Sequence, residues 1–210
     1  MIIGVSGKAR SGKDTFAEYL SYALSEKTKN SYVMMAWAHA LKSGCQRDFD
    51  LSYDQLYGEH KETPDKRYYR GMRYHGGVRA DNDDLPSLYW TAREILQAYG
   101  EFYRTIDKDF WIKALFKTIK EKEYKNVIIT DCRHPNEVDA VHEHGGYHIR
   151  VIRPNLPKIH GMEHISETAL DNYENTDYTI INEFGLKELE QAAREVADFL
   201  IERDRRLKNG

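Results

Sequence analysis

Short runs of apolar, largely β-branched residues alternate along the chain with longer segments in which apolar positions return every three or four residues. The short runs predict buried strands at Ile2 to Ser6, Tyr32 to Met35, Val127 to Thr130, His148 to Ile152 and Tyr178 to Ile181, nearly all apolar on both faces. The longer segments predict helices at Lys13 to Glu26, Ala38 to Asp48, Ser87 to Tyr99, Asp109 to Glu121, Asn136 to His144 and Leu186 to Leu207. In the last of these, Leu186, Leu189, Ala193, Val196, Ala197 and Leu200 make an apolar stripe opposite a face of Lys, Glu and Arg, the pattern of a packing helix. Strands alternating with helices predict βαβ units, hence a three-layer α/β fold with a five-stranded parallel sheet flanked by helices. Leu51 to Pro86 keeps no steady period, is rich in tyrosine and carries turn-like points at Gly58, Pro64, Gly71 and Gly76-Gly77, so an irregular insertion is expected there.

Composition bounds this picture. A chain of 210 residues with 40% hydrophobic and 31% charged residues is expected to form one globular domain over 1–210, and no apolar run approaches a membrane span. The first residues lead directly into a strand without a basic segment or cleavage signature, and Cys45 and Cys132 lack disulfide or zinc spacing, so a cytoplasmic protein with reduced thiols is expected. A net charge of −3 supplies no global positive field for nucleic acid. Any anionic ligand must be met by local charge.

Gly7-Lys8-Ala9-Arg10-Ser11-Gly12-Lys13 fits G-x-x-x-x-G-K, between an apolar strand and an amphipathic helix. Glycines let backbone amides converge on phosphate oxygens, the helix presents its positive end, and Lys13 reaches the β- and γ-phosphates. Asp14 replaces the usual hydroxyl residue, with Thr15 next. Its carboxylate could bind Mg²⁺ directly, bind it through water, or hydrogen-bond backbone amides, whereas Thr15 would bond a phosphate from the first helical turn. Val127 to Asp131 is a buried strand ending in an acid, the form of a carboxylate acting on Mg²⁺ or an acceptor, and strand carboxyl ends are where such sheets bind ligands. Asp131 is thereby expected to face the loop. Arg93, Arg133 and Arg153 stand near predicted element ends and offer guanidinium forks to a transferring phosphoryl group.

Six segments recur in order over about three quarters of the chain: Ser6-Gly7 through Arg10 to Thr15; Arg93-Glu94-Ile95-Leu96-Gln97-Ala98-Tyr99-Gly100; Asp109-Phe110-Trp111-Ile112-Lys113; Asp131-Cys132-Arg133; Val151 to Pro154; and His164 to Glu167. With them the sequence resembles bacteriophage deoxynucleoside monophosphate kinases, in the adenylate-kinase-like branch of P-loop kinases. The resemblance implies phosphorylation of deoxynucleoside monophosphates with ATP and Mg²⁺. It implies that Arg10, Ser11, Gly12, Lys13, Asp14 and Thr15 hold ATP phosphates, that Arg93 bridges donor and acceptor, that Gln97, Gly100, Trp111 and Asp131 surround the acceptor, and that Arg133 supports the transferring group. Arg153 falls where related kinases contact the donor. Lys8 and Lys42 are candidate acceptor-phosphate contacts, and Ala9 and Glu101 depart from the family pattern.

Small-molecule nucleotides are then the expected partners, with no nucleic acid and no membrane, and with self-association into a homodimer left open. Two rival readings remain: a P-loop kinase acting on another phosphorylated small molecule, such as phosphomevalonate or dephospho-coenzyme A, and a nucleic-acid-binding module prompted by Arg67 to His75 and Arg79, where basic and aromatic residues interleave. Asp81, Asp83 and Asp84 follow at once and oppose the latter. His142, His144 and His148 do not have converging metal-ligand spacing and read as solvated histidines.

Overall fold

The computed structural model describes residues 1–70, 88–154, 168–183 and 185–209. The chain divides into two compact units, Met1–Trp37 with Ile112–Gly210, and Ala38–Trp111.

The first unit holds five strands, β1 (Ile2–Ser6), β2 (Val33–Met35), β5 (Val127–Cys132), β6 (Tyr147–Ile152) and β7 (Tyr178–Ile181), in the order β2-β5-β1-β6-β7. Every pairing is parallel. This is the expected sheet, and period-two alternation explains why both its faces are covered. Ile3, Val5, Ile128, Ile149 and Val151 face a core completed by α1 (Lys13–Thr28) and α7 (Leu186–Asn209), through Phe16, Leu20 and Leu24 and through Leu189, Ala193, Val196 and Leu200. Val127 and Ile129 face the opposite core, completed by Ile112, Leu115 and Ile119 of α5 (Phe110–Glu121) and by Val138 and Val141 of α6 (Pro135–Glu143). The predicted solvated face of α7 carries Glu190, Arg194, Glu195 and Glu202, as the stripe required.

The chain runs from β1 outward to β2, and later from β5 back across β1 to β6. That reversal places a crevice at the carboxyl end of β1, the position at which open α/β sheets take ligands.

The second unit contains α2 (Ala38–Phe49), α3 (Tyr53–Tyr57), a 3-10 turn (Glu59–Glu62), an antiparallel pair of β3 (Pro64–Tyr69) with β4 (Tyr89–Thr91), and α4 (Ala92–Ile106). Its core is Cys45, Leu51, Leu56, Ala92, Ile95 and Leu96. The segment expected to be irregular is therefore built of short elements over residues 51–70, while Gly71, Gly76, Gly77, Arg79 and Asp81 to Pro86 lie outside the described residues. Two capping boxes set these elements. Ser52 and Gln55 start α3, and Thr91 and Glu94 start α4. The second box explains why α4 begins at Ala92 instead of Ser87: Thr91 is held extended by its own cap, and the residues before it pair as β4.

Candidate nucleotide site

β1 delivers Ser6 and Gly7 to a tight turn in which the Ser11 amide donates to the Lys8 carbonyl at 3.0 Å. A Cβ on Gly7 would stand 2.5 Å from Ser11 Oγ and 2.6 Å from the Val151 carbonyl oxygen, closer than real contacts allow. Arg10, at φ 64, takes the left-handed conformation that non-glycine residues seldom adopt, and exposed backbone strain of this kind concentrates at functional loops. Gly12 follows with φ 91 as the N-cap of α1 and provides no side-chain cap. The first amides of α1 are thus left to meet an anion, with the helix dipole behind them. Asn182, just past β7, donates from Nδ2 to the Ser11 carbonyl at 2.8 Å and braces the loop from the far side of the sheet.

Two polar side chains are buried in this turn. Ser11 is 1% exposed, and its hydroxyl has no hydrogen-bond partner among the described residues. Such a group is costly unless something pairs with it, and a phosphate oxygen is the partner the site invites. Lys13 is 6% exposed, its Nζ 3.2 Å from Asp14 Oδ2. Asp14 projects into solvent and Thr15 is half-buried in the first turn of α1.

Beside the loop lies a cleft of ≈ 200 Å³ lined by Ser6, Gly7, Lys8 and Ser11 from the loop side, Cys132 and Arg133 from the end of β5 and its exit, and Arg150 and Arg153 from β6 and its exit. Among the described residues, four cationic side chains ring it, against one carboxylate, Asp171. A space of this size suits a phosphate chain and not a whole nucleotide. Lys8, Ser11, Arg133 and Arg153 therefore converge on one cleft, whereas Asp131 does not line it. β5 slips register against β1 between Gly4 and Ser6, and at that irregularity Asp131 Oδ1 accepts the Trp37 amide at 2.8 Å. Asp131 is thus held at the β2 side of the β5 end, one residue before the cleft wall.

In the second unit, Arg93, Gln97 and Gly100 fall on one face of α4, at spacings of four and three. Arg93 is ion-paired with Glu62, and Gln97 is exposed. Trp111 is 6% exposed, donates from Nε1 to the Gly100 carbonyl at 3.1 Å, and packs against Tyr99, Tyr103 and Phe110. It is a core anchor, and its ring offers little surface for stacking. Lys42 places Nζ 3.9 Å from the centre of the Tyr57 ring. On the other face of α4 a cavity of ≈ 540 Å³ is lined mainly by aromatic rings, among them Tyr68, Tyr69, Trp90 and Tyr99. The segment His164 to Glu167 lies outside the described residues.

His148 and His142 correct the sequence reading, whereas His144 is exposed as expected. His148 is fully buried on β6, its Nε2 2.8 Å from Ser6 Oγ and its Nδ1 3.3 Å from Thr176 Oγ1. His142 lies 2.9 Å from Asp177 Oδ2, which also accepts the His148 amide at 2.8 Å, and His144 stacks on Phe116. Solvation was expected because spacing shows no tertiary partner. Among the described residues no cluster of three or more His, Cys, Asp or Glu is arranged to hold a metal ion.

Burial, with His142 nearby, pushes the His148 imidazole down to about 4, so it is neutral in the folded protein near neutral pH. An unfolded-state histidine titrates near 6.5, so between these values the unfolded chain binds the proton and the folded one does not. Stability is expected to fall as pH drops from about 6.5 to about 4, by on the order of 3 kcal/mol from this group. Thermal melts across that range should show the slope in the wild type and a flatter profile in His148→Gln.

Sequence reasoning also missed Arg150, Asp171 and Asn182. Arg150 carried a signal, being a charged residue inside a strand whose neighbours Ile149 and Val151 are buried. Asn182 and Asp171 carried none, because each meets the loop across more than 160 positions of sequence.

A parallel sheet with a glycine-turned loop, an uncapped helix start, a buried lysine and a cation-lined cleft at its carboxyl edge makes this a P-loop protein of the three-layer α/β kinase class. Residues 78–193, more than half of the chain, match the family model described as deoxynucleotide monophosphate kinase, and the chain belongs to that family of nucleotide kinases. A protein of Acanthamoeba polyphaga mimivirus named "Putative deoxynucleotide monophosphate kinase" is 29% identical over 194 residues, 90% of this chain and 91% of its own length. "Uncharacterized protein ORF77" of Ictalurid herpesvirus 1 (strain Auburn) is 29% identical over 143 residues, 66% of this chain and 59% of its own. The "Deoxynucleotide monophosphate kinase" of Enterobacteria phage T4 is 30% identical over 105 residues, 48% of this chain and 42% of its own. No helix among the described residues is long and apolar enough to cross a membrane.

Gly7→Ala is expected to raise KM for the nucleotide co-substrate by about tenfold or more, since the added methyl pushes Ser11 out of the turn that aims the loop amides. Initial rates at varied ATP check this.

Proposed function

We propose that the protein transfers the γ-phosphoryl group of ATP directly, in line, to a deoxynucleoside 5′-monophosphate. The observation that carries the reading is the buried Ser11 hydroxyl, without a hydrogen-bond partner among the described residues, on the wall of a cation-lined cleft, with Lys13 buried two residues further along the same turn. An oxyanion chain is the ligand such a set satisfies.

In this reading the loop amides, Ser11, Lys13 and Thr15 hold the donor phosphates, with Arg10 at the loop's outer edge. Arg133 and Arg153 stabilise charge spread over the transferring group, and Lys8 binds phosphate at the cleft mouth. Arg93 and Gln97, on one face of α4, together with Lys42, serve the acceptor side, while Gly100 and Trp111 build that unit's frame. The acceptor phosphate oxygen is already ionised near neutral pH, so no strong base is required, and catalysis consists of alignment and charge neutralisation. Hard carboxylate oxygens suit Mg²⁺, which takes one or two of them and fills its shell with phosphate and water. Asp14, exposed at the start of α1, and Asp131, at the end of β5, would hold it in that manner. The bound ion would neutralise developing charge on the phosphates. One kinase domain with an acceptor-side unit at 38–111 fits this division of labour, working in the cytoplasm where its substrates are.

The nucleic-acid reading is disfavoured by local pairing. Arg67 bonds Asp65 and lies 3.3 Å from Asp50, while Arg70 pairs with Glu94 and covers the Trp90 ring, so the described part of that basic stretch is compensated by carboxylates. The Arg67 guanidinium holds the Asp65 carboxyl down at about 2.

An acceptor panel tests the proposal. With ATP, ADP release is expected with one or more of dGMP, dTMP, dCMP and dAMP, and little with phosphomevalonate or dephospho-coenzyme A. Turnover of phosphomevalonate without turnover of any dNMP would reassign the acceptor.

A further inference from the structure

Among the described residues Asp171 is the one carboxylate on the wall of the cationic cleft, and it is placed as a phosphate would be. Its Oδ2 accepts from Lys8 Nζ at 2.8 Å, and its Oδ1 lies 3.7 Å from Arg150 Nη2. The two oxygens thus bridge a cation from the phosphate loop and a cation from β6. Arg150 otherwise donates to neutral acceptors, the carbonyls of Asp171 at 3.4 Å and Tyr173 at 3.5 Å. At 3.7 Å its contact with the carboxylate is beyond hydrogen-bonding range. The Arg150 side chain is only one-fifth exposed and forms part of the cleft wall.

We propose that Lys8 and Arg150 form one anion subsite for a nucleotide phosphate, and that Asp171 is its built-in competitor, displaced when the phosphate binds. This rests on the reading of the cleft as the donor-phosphate site. Three features favour displacement. The Lys8–Asp171 pair is half exposed, with side chains 50% and 39% accessible, and such pairs hold weakly. A phosphate carries more charge than a carboxylate and more acceptor oxygens, so it engages both cations at hydrogen-bonding distance. The same cleft holds the Ser11 hydroxyl, without a partner among the described residues, which Asp171 leaves unsatisfied and a phosphate does not. Asp171 thereby keeps two cations oriented towards one point and screens them from adventitious anions, at a cost in nucleotide affinity.

Removing a competitor raises affinity, a sign that loss of a structural contact does not produce. Binding of the non-hydrolysable β,γ-imido analogue of ATP, measured by isothermal titration calorimetry, is expected to tighten about two- to fivefold in Asp171→Asn, the range of an exposed ion pair. Asp171→Ser should shift affinity in the same direction. Arg150→Gln should weaken binding by about ten- to a hundredfold, as loss of a charge-assisted phosphate contact does. In a Lys8→Gln background, Asp171→Asn should lose most of its gain. Unchanged or weaker binding in both Asp171 variants, with the wild type binding normally, would overturn the competitor role alone. Failure of the wild type and every variant to bind the analogue would overturn the donor-site reading, and this inference with it.

Discussion

Lys13→Ala is expected to lower kcat/KM by about a thousandfold, the scale seen when a preorganised cation is removed from a phosphoryl-transfer site. Its ammonium is buried at the head of α1, inside a turn whose amides, hydroxyl and helix dipole all point to an anion. The fold should survive. Alanine suits a first helical turn, and Lys13 gives up only its 3.2 Å contact with a solvent-exposed Asp14. Steady-state kinetics beside a thermal melt separate the two effects: near-normal kcat/KM in a folded variant contradicts the assigned role.

Asp131→Asn is expected to lower kcat by about a hundredfold with little change in stability, since a charge placed for the transition state is lost while the geometry stays. An asparagine oxygen still accepts the Trp37 amide, the 2.8 Å bond that fixes the side chain between β5 and the exit of β2. Asp131→Ala, which breaks that bond too, should melt earlier as well as turn over slowly. Equal kcat in Asp131→Asn and wild type would show that the residue serves only to pin Trp37.

How far the fold was legible depended on how local each signal is. β1, the loop and α1 follow from contiguous residues, because strand pattern, glycine spacing and helix period occupy one stretch, and the structure starts α1 at Lys13 as that stretch requires. The parallel sheet was legible because strands covered on both faces must be apolar throughout. In the second unit α2 was read within one residue, but the elements over 51–70 and the start of α4 were not, because they are short or set by caps, Ser52 with Gln55 and Thr91 with Glu94, and not by periodicity. Trp111 illustrates the limit for site residues. An aromatic on a helix looks alike whether it anchors a core or faces a ligand, and only the Gly100 carbonyl and the surrounding rings decide that it is packed. Asp171, Asn182 and His148 reach the loop through tertiary contacts that no local pattern encodes.

The most direct measurement is a single-turnover reaction with ATP labelled at the γ-phosphorus, enzyme in excess, and a mixture of the four deoxynucleoside monophosphates, resolved by chromatography. The label is expected in the β-phosphate of a deoxynucleoside diphosphate, in step with the appearance of ADP. Label released as inorganic phosphate, or left in ATP with every deoxynucleotide offered, would contradict a cleft built to pass a phosphoryl group to a deoxynucleotide.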